Sequence, residues 1–507
     1  MTARADLARS TGQPLRRFRK VLVANRGEIA VRICRTLRDM GIPSVTVYSD
    51  ADRGAPHAAA GDESIRIGPA DPAGSYLNAA VLLDAARALG ADAIHPGYGF
   101  LSQSAAFVRA CRDSAITFIG PSPDSMELLG NKVSSRSAAE RAGVPVVPGV
   151  EGIEDAIRAQ AEAGRIGYPI LVKAAGGGGG RGMRRVDQAA DLPAAFESAR
   201  REAGAAFGDE RLFLEKLVDP ARHVEIQVLG DGKDAIALGE RECSLQRRYQ
   251  KVIEESPSPA VGDRLRRTME EAAVRLARDA AYSGACTVEF LLGPGDAYYF
   301  LEVNTRLQVE HPVTEMRFGI DLVRAQVEIA AGGPLPRAGA PRGHAIEARV
   351  NAEDPYRGFL PQTGKLLLLE WGAGEGIRVD TGIAEGRPVH AHYDSLLAKV
   401  IAHGATREEA RARLVQALRE TALLGVVTNQ GFLLDLLEDE AFRSGSTFTR
   451  TIESRSWPAP DAPEEAVLAA AIAFVAPART AGARPDADRH SPWRLLGAWG
   501  RPAGSPA

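Results

Sequence analysis

From Lys20 onward the chain runs strand, helix, strand within about thirty residues, and no other feature restricts its fold as strongly. Val21-Leu22-Val23-Ala24 reads as a short buried strand. Ile29, Ile33, Leu37 and Met40 then fall at helical spacing up to Gly41, and residues 44–48 are extended again. Two neighbouring strands joined by a helix lie parallel, and a parallel sheet needs cover on both faces. The same pattern predicts a helix over 76–89 and strands over 92–95 and 116–119, which carry an α/β unit to about Gly130.

Beyond Val133 the character changes. Strands are expected in neighbouring pairs: 169–174 with 182–186, 211–217 with 223–229 and then 235–240, and 285–292 with 297–303. Helices are expected over 187–204, 263–281 and 319–331. Paired strands set apart from helices indicate an antiparallel α+β unit reaching about Gly333. A third unit, about 343–450, alternates strands (344–350, 365–370, 396–402) with helices (406–420, 429–439). After Trp457 Pro and Ala dominate without a sustained period, as in a linker, and the first 17 residues read as a disordered tail.

Composition narrows the function. Sixty-two basic residues against 65 acidic ones leave a net charge of −3, so no basic excess favours nucleic acid or an anionic membrane. No apolar run reaches the ~18–20 residues of a membrane helix. Four cysteines with no Cys-x-x-Cys pair suit a reducing, cytoplasmic setting without structural zinc. Only eight of the 62 basic residues are lysines: Lys20, Lys132, Lys173, Lys216, Lys233, Lys251, Lys365 and Lys399. A lysine kept in so arginine-rich a chain marks places where a compact point charge is needed, as beside a phosphate.

The motifs agree. Lys173-Ala-Ala precedes five consecutive glycines, Gly176 to Gly180, then Arg181-Gly182-Met183, between two expected strands. Such a run lets backbone N–H groups approach phosphate oxygens, with Gly178, Gly179 and Gly180 at its centre. It lacks the Gly-Lys-Ser/Thr of a Walker A loop. Glu289, Glu302 and Asn304 are the metal candidates. A turn at 293–296 sets Glu289 nearly opposite Phe300, with Glu302 diagonal to it and Asn304 continuing that face. Two carboxylates and an amide oxygen suit a hard ion such as Mg²⁺. If the next residues stay extended, Asn304, Arg306, Gln308 and Glu310 project to one side. Such a row orients an anionic substrate and supplies a base, or forms a surface salt-bridge ladder; spacing alone does not choose. Lys132, Lys173, Lys216 and Lys251 all fall in motif-like stretches.

These residues carry a family resemblance. Val23-Ala-Asn-Arg-Gly-Glu-Ile-Ala30, His95-Pro-Gly-Tyr-Gly-Phe100, the glycine run, Arg222-His-Val-Glu-Ile-Gln227, Glu242-Cys-Ser-Leu-Gln-Arg-Arg248, Glu302-Val-Asn-Thr-Arg-Leu-Gln-Val-Glu-His-Pro312 and Arg342-Gly-His-Ala-Ile-Glu-Ala-Arg349 occur in this order. Over about 18–457 the chain closely resembles the biotin carboxylase family of the ATP-grasp superfamily, most of all the N-terminal part of acyl-CoA carboxylase α subunits.

The resemblance implies three domains: a parallel-sheet N-terminal domain (18–130), an antiparallel ATP-grasp domain with a glycine-rich lid (133–333) and a C-terminal α+β domain (343–457), followed by a linker over 458–507. Residues 458–507 are alternatively the start of a carrier-side region. The resemblance also implies roles. Lys132, Lys173, Glu215, Lys216, Leu217, His223, Gln246 and Tyr249 would hold ATP, and Glu289, Glu302 and Asn304 would bind Mg²⁺ or Mn²⁺. Lys251, Arg306 and the Val309 backbone would hold bicarbonate, and Glu310, kept ionised by Arg306, would take its proton. Arg349 would stabilise the biotin enolate, with Tyr98, Gly99 and Gln308 lining the biotin pocket. Gln103, Asn131 and Tyr249 stand where many members have Glu, Asp and His; Gln103 and Asn131 each remove a negative charge, which bears on rate or ion preference, while Tyr249 can still donate a hydrogen bond to the nucleotide. No lysine is flanked by methionine, so biotin is expected on a separate carrier domain or protein. A carboxyltransferase subunit and a homodimer or larger complex are the implied partners. A carboxylate–amine ligase of the same superfamily and a catalytically weakened scaffold subunit are the alternatives.

Overall fold

The computed structural model describes residues 17–153, 155–174, 183–207 and 210–459. The expected N-terminal tail, glycine loop and C-terminal linker fall on residues 1–16, 175–182 and 460–507, outside the described residues.

The first unit is the predicted parallel sheet. Its elements are β1 (Val21–Val23), α1 (Gly27–Asp39), β2 (Ser44–Ser49), β3 (Glu63–Gly68), α2 (Ala79–Ala88), β4 (Ala93–His95), α3 (Ala105–Asp113) and β5 (Thr117–Phe118). The five strands lie in the order β3-β2-β1-β4-β5, with every pairing parallel. Alternation along β1 divides the core: Val21 and Val23 pack with Ile29, Ile33 and Leu37 of α1, while Leu22 packs on the other face with Val45, Ile94 and Phe107. Asn78 caps α2 through its side chain, so that helix starts three residues later than its apolar pattern suggests.

α4 (Pro123–Gly130) and α5 (Lys132–Arg141) lead into a four-stranded antiparallel sheet of β6 (Gly149–Ile153), β7 (Ile170–Ala174), β8 (Met183–Val186) and β9 (Leu212–Lys216), in the order β6-β9-β7-β8. α6 (Ala156–Ile166) and α7 (Leu192–Phe207) cover one side around Ala159, Ala163, Phe196 and Ala199. β9 does not pair with the strand that follows it. It joins β6 and β7, and the chain then crosses to another sheet.

That second sheet has eight strands: β10 (Arg222–Asp231), β11 (Ala235–Arg247), β12 (Gln250–Ser256), β13 (Ser283–Leu292), β14 (Tyr298–Asn304), β15 (His344–Asn351), β16 (Ile377–Thr381) and β17 (Leu396–Gly404). Their order is β14-β13-β10-β11-β12-β15-β17-β16. One sheet therefore runs from the strands of the expected second unit into the C-terminal region, through antiparallel pairing of Ile253 to Ser256 with Ala348 to Ala345. α8 (Asp263–Asp279) packs Met269, Ala273 and Leu276 on its first half, and α11 (Arg407–Glu420) packs Leu414 and Leu418 on its second. The expected helix over 319–331 is α10 (Leu322–Ala330), and a further helix that the sequence pattern did not show, α9 (His311–Phe318), precedes it and ends at Gly319, in the left-handed region at φ 62°. α12 (Gln430–Glu438) completes the C-terminal layer.

Candidate active site

The site is built on one face of the eight-stranded sheet. Glu225 of β10 lies directly opposite Glu289 of β13, and Glu289 directly opposite Glu302 of β14. The sequence pattern put Glu302 on the diagonal. An irregularity between Glu289 and Phe290 shifts the register and aligns the two carboxylates, while Leu301 is left exposed.

Two of the strands meet at a two-residue turn, Arg248-Tyr249, with φ 47° and 66°. Both central residues of such a hairpin turn adopt positive φ, which usually selects Asn-Gly. β12 returns with Lys251, the hub of the site. Its Nζ donates to Glu225 Oε2 and Glu310 Oε1 at 2.6 Å each and to Glu289 Oε1 at 2.9 Å. Burial works against its charge, but Cys243 and then Glu225, Glu289 and Glu310 raise its pKa well above the ordinary lysine value.

Glu310 is fully buried at the start of α9. Arg349 Nη2 of β15 donates to its Oε2 at 3.1 Å and is itself ion-paired to Glu254 of β12. Burial opposes ionisation of Glu310, yet Lys251, Arg349 and Arg241 outweigh it and hold its carboxyl well below the usual range. The cation expected to do this was Arg306. The structure corrects that: β14 ends at Asn304, the chain turns, and the side-chain hydrogen bonds of Arg306 go to groups other than Glu310. Its Nη2 donates to Asn304 Oδ1 (3.0 Å), Nη1 to Gln308 Oε1 (2.9 Å) and Nε to Gln103 Oε1 (2.8 Å). The expected extended row from Asn304 to Glu310 is therefore not present. Gln308 nevertheless reaches Glu289 Oε1 at 2.9 Å, as does Asn304 Nδ2.

His223 Nε2 lies 3.1 Å from Glu289 Oε2. Burial disfavours its charge, but Glu289 raises its pKa overall. Burial and the Glu289 charge raise the Glu302 pKa, with Lys132 opposing. Two carboxylates aligned on adjacent strands, one of them driven toward protonation by the other, fit a divalent cation that would relieve their repulsion.

Of the remaining nucleotide candidates, Lys173, Glu215 and Lys216 lie on the four-stranded sheet. Lys173 of β7 is ion-paired to Glu215 of β9, Lys216 Nζ donates to the carbonyls of Gly167 (2.9 Å) and Tyr168 (2.8 Å), and Leu217 N donates to Pro169 O. Gln246 is buried opposite Lys251 on the larger sheet, whereas Tyr249 is exposed and Lys132 opens α5. Gly178, Gly179 and Gly180 lie outside the described residues. Two departures from the family pattern are accounted for locally. Gln103 still accepts from Arg306, and Asn131 caps α5 by accepting from Val133 N and Ser134 N. The candidate biotin residues sit at the N-terminal unit: Tyr98 OH donates to Glu28, and Gly99 follows at φ 70°.

Sequence reasoning missed Glu225, Arg241 and Glu254. Arg241 is fully buried, with Nε on Glu225 Oε1 at 2.6 Å and further bonds to Gln227, Thr314 and Thr287. The signal was a charged residue within an otherwise buried strand, where ions occur only if paired.

A larger sheet bearing paired carboxylates and buried cations, with a second sheet holding Lys173 and Lys216, defines an ATP-dependent ligase of the ATP-grasp class. Three family models match: "Biotin carboxylase, N-terminal domain" over residues 17–126, "Carbamoyl-phosphate synthase L chain, ATP binding domain" over 131–338 and "Biotin carboxylase C-terminal domain" over 347–454. Biotin carboxylase 1 of Bacillus subtilis is 46% identical over 443 residues, covering 86% of this chain and 98% of that protein. The mitochondrial methylcrotonoyl-CoA carboxylase subunit alpha of Oryza sativa subsp. japonica is 49% identical over 441 residues, and the match spans 60% of its length. Among solved structures, the biotin carboxylase domain dimer of Hydrogenobacter thermophilus 2-oxoglutarate carboxylase, in complex with MgADP, ADP and bicarbonate, has TM-score 0.80 and 43% identity, covering 86% of this chain and 97% of that one. The chain belongs to the biotin carboxylase family. Among the described residues no helix is long and apolar enough to cross a membrane.

Proposed function

We propose that this chain uses ATP and bicarbonate to carboxylate biotin borne by a separate carrier, as one component of an acyl-CoA carboxylase in the cytoplasm. Its working units are 18–130, 133–333 and 343–457. The observation that carries this reading is Glu310: a buried carboxylate held ionised between Lys251 and Arg349, next to paired carboxylates suited to a metal.

In this mechanism Lys173, Glu215, Lys216, Leu217, His223 and Gln246 hold the nucleotide, with Lys132 at the phosphate end and Tyr249 at the rim. Glu289, Glu302 and Asn304 would hold Mg²⁺ or Mn²⁺, which when bound neutralises charge on the transferred phosphoryl group. Lys251, Arg306 and the Val309 backbone position bicarbonate. Glu310 removes its proton, the bicarbonate oxygen attacks the γ-phosphorus, and ADP leaves. Carboxyphosphate then breaks into CO₂ and phosphate. The phosphate takes the ureido proton of biotin, Arg349 neutralises the enolate, and the nitrogen attacks CO₂. Glu254 keeps the Arg349 guanidinium oriented, because the two are ion-paired inside the sheet. Exclusion of water from this buried cluster protects carboxyphosphate. Tyr98, Gly99 and Gln308 line the biotin side, and a carrier protein or domain, a carboxyltransferase subunit and a second copy of this chain are its partners.

The test is ADP formation by the purified chain with Mg²⁺, in the presence and absence of bicarbonate and free biotin. Dependence on both is expected. Turnover with an amine acceptor and no response to biotin would overturn the reading in favour of another ATP-grasp ligase.

A further inference from the structure

Of the eight lysines, Lys399 is the one whose ammonium is sealed inside the protein with no share in the nucleotide or bicarbonate sets. It lies in the middle of β17, between Ala398 and Val400, which are themselves fully buried. Sealing a charge there costs several kcal/mol unless the geometry of its partners is good. Its partners come from two other parts of the molecule. Nζ donates to the carbonyl of Val309, in the loop before α9, at 2.8 Å. The same nitrogen lies 3.1 Å from Glu28 Oε1, in the first turn of α1, and 4.0 Å from Asp380 Oδ2, its cross-strand neighbour on β16.

Each partner leads to one end of the active site. The Val309 carbonyl and the Glu310 N–H belong to one planar peptide unit, so fixing the carbonyl fixes the backbone from which Glu310 projects. Glu28 Oε1 also accepts the hydroxyl proton of Tyr98, and Asn25 Nδ2 holds the Tyr98 carbonyl at 2.7 Å. α1 is itself seated closely on the C-terminal region: a Cβ on Gly382 would come within 2.4 Å of Glu28 N. A compact ammonium with three donors can serve a carbonyl and a carboxylate at once, where a planar guanidinium would need more room.

We propose that Lys399 is a positioning residue that holds the bicarbonate and biotin subsites in register, through the Val309–Glu310 peptide on one side and through Glu28 and Tyr98 on the other. This rests on the reading that Val309 and Glu310 serve bicarbonate and that Tyr98 lines the biotin pocket.

The test compares Lys399→Met, Lys399→Arg, Glu28→Gln and the double variant Lys399→Met/Glu28→Gln, each checked for native circular dichroism. With free biotin as acceptor, Lys399→Met is expected to raise KM for both bicarbonate and biotin about tenfold or more and to lower kcat about 10–100-fold, as small misplacements of reacting groups do. KM for ATP should stay within about twofold, because the strand of Lys399 pairs only with β15 and β16 and with none of β7, β9, β10 and β11, which carry the nucleotide residues. Glu28→Gln should raise KM for biotin alone, since the Lys399–Val309 bond survives. Lys399→Arg should not restore either KM. Where Lys399→Met does not fold, the double variant, which leaves no unpaired charge at that position, is expected to show both KM increases. Folded variants with both KM values near wild type, or with all three KM values raised together, overturn the proposal, and so does full rescue by Arg. A wild-type protein with no bicarbonate or biotin dependence would instead overturn the underlying functional reading.

Discussion

Replacement of Glu310 by Gln probes the centre of the site with the least change in shape. Wild-type Glu310 sits fully buried with Lys251 at 2.6 Å and Arg349 at 3.1 Å. The amide cannot accept a proton from bicarbonate, and loss of a general base slows a reaction by about 10²–10⁴-fold. At ~1.36 kcal/mol per decade this is roughly 3–5 kcal/mol of barrier. The fold should tolerate the change, because Lys251 keeps Glu225 and Glu289 and Arg349 keeps Glu254. Losing one charge-assisted partner then costs about 1–3 kcal/mol of stability. Lys173 and Lys216 lie on the other sheet, so ATP should bind with an affinity within about threefold of wild type. The assay is coupled ADP release against bicarbonate concentration, alongside nucleotide titration by calorimetry. Bicarbonate-dependent turnover within about fivefold of wild type would refute the base assignment. A parallel collapse of ATP affinity would make Glu310 part of the nucleotide framework instead.

Three further outcomes follow from the geometry. Burial pushes Glu242 up to about 7 against hydrogen bonds from Ser244 and Ser258 and the charge of Arg222. The native state therefore binds more protons than the unfolded chain between about 4.5 and about 7, so this group makes stability fall as pH rises through that window and is level above it; denaturation midpoints of Glu242→Gln should show a shallower slope there, and an unchanged slope would sink the assignment. Burial raises the thiol pKa of Cys34 and Cys111 to about 12 each, and all four cysteines are buried; the native protein should leave these four thiols unlabelled by an aromatic disulfide reagent at neutral pH, and rapid labelling of any of them contradicts this. Gly382→Ala places a methyl group 2.4 Å from Glu28 N and 2.5 Å from Gly27 C, backbone atoms that yield only if α1 moves; a loss of about 1–3 kcal/mol in chemical unfolding is expected, and wild-type stability would show that the junction is looser than this packing requires.

The parts of the fold legible in the sequence were those set by local periodicity. β1, α1 and β2 follow from Val21 to Val23, the Ile29–Ile33–Leu37 stripe and residues 44–48, since each buries a single face or run. α3, α4, α5 and α6 went unread. α5, for instance, buries only Ser135, Ala138 and Ala139, too small a stripe to show as a period. Pairing across sheets was less legible still. β9 and β10 are consecutive in sequence but sit in different sheets, a choice made by the β6 and β7 strands that β9 completes. In the site, the Glu289–Glu302 hairpin was recognisable, but its register was not, because the irregularity beside Glu289 leaves no local mark. The ion partners of Glu310 were misassigned to Arg306, four residues away. Sheet order brings Lys251 and Arg349 instead, 59 and 39 positions distant in the chain.

The pairing of β12 with β15 has a consequence for modularity. The matched ATP-binding segment ends at residue 338 and the C-terminal one starts at 347, but the eight-stranded sheet runs through that boundary. A fragment cut there would end with the Ile253–Ser256 edge bare, its backbone donors and acceptors facing water where Ala345 to Ala348 had matched them. Such a piece is a template for strand addition by its own copies. Shuffling the ATP-binding segment between relatives would therefore have to carry β15 with it, and Arg349 travels on that strand. The residue assigned to the last chemical step is thus built into the same sheet as the residues assigned to the first.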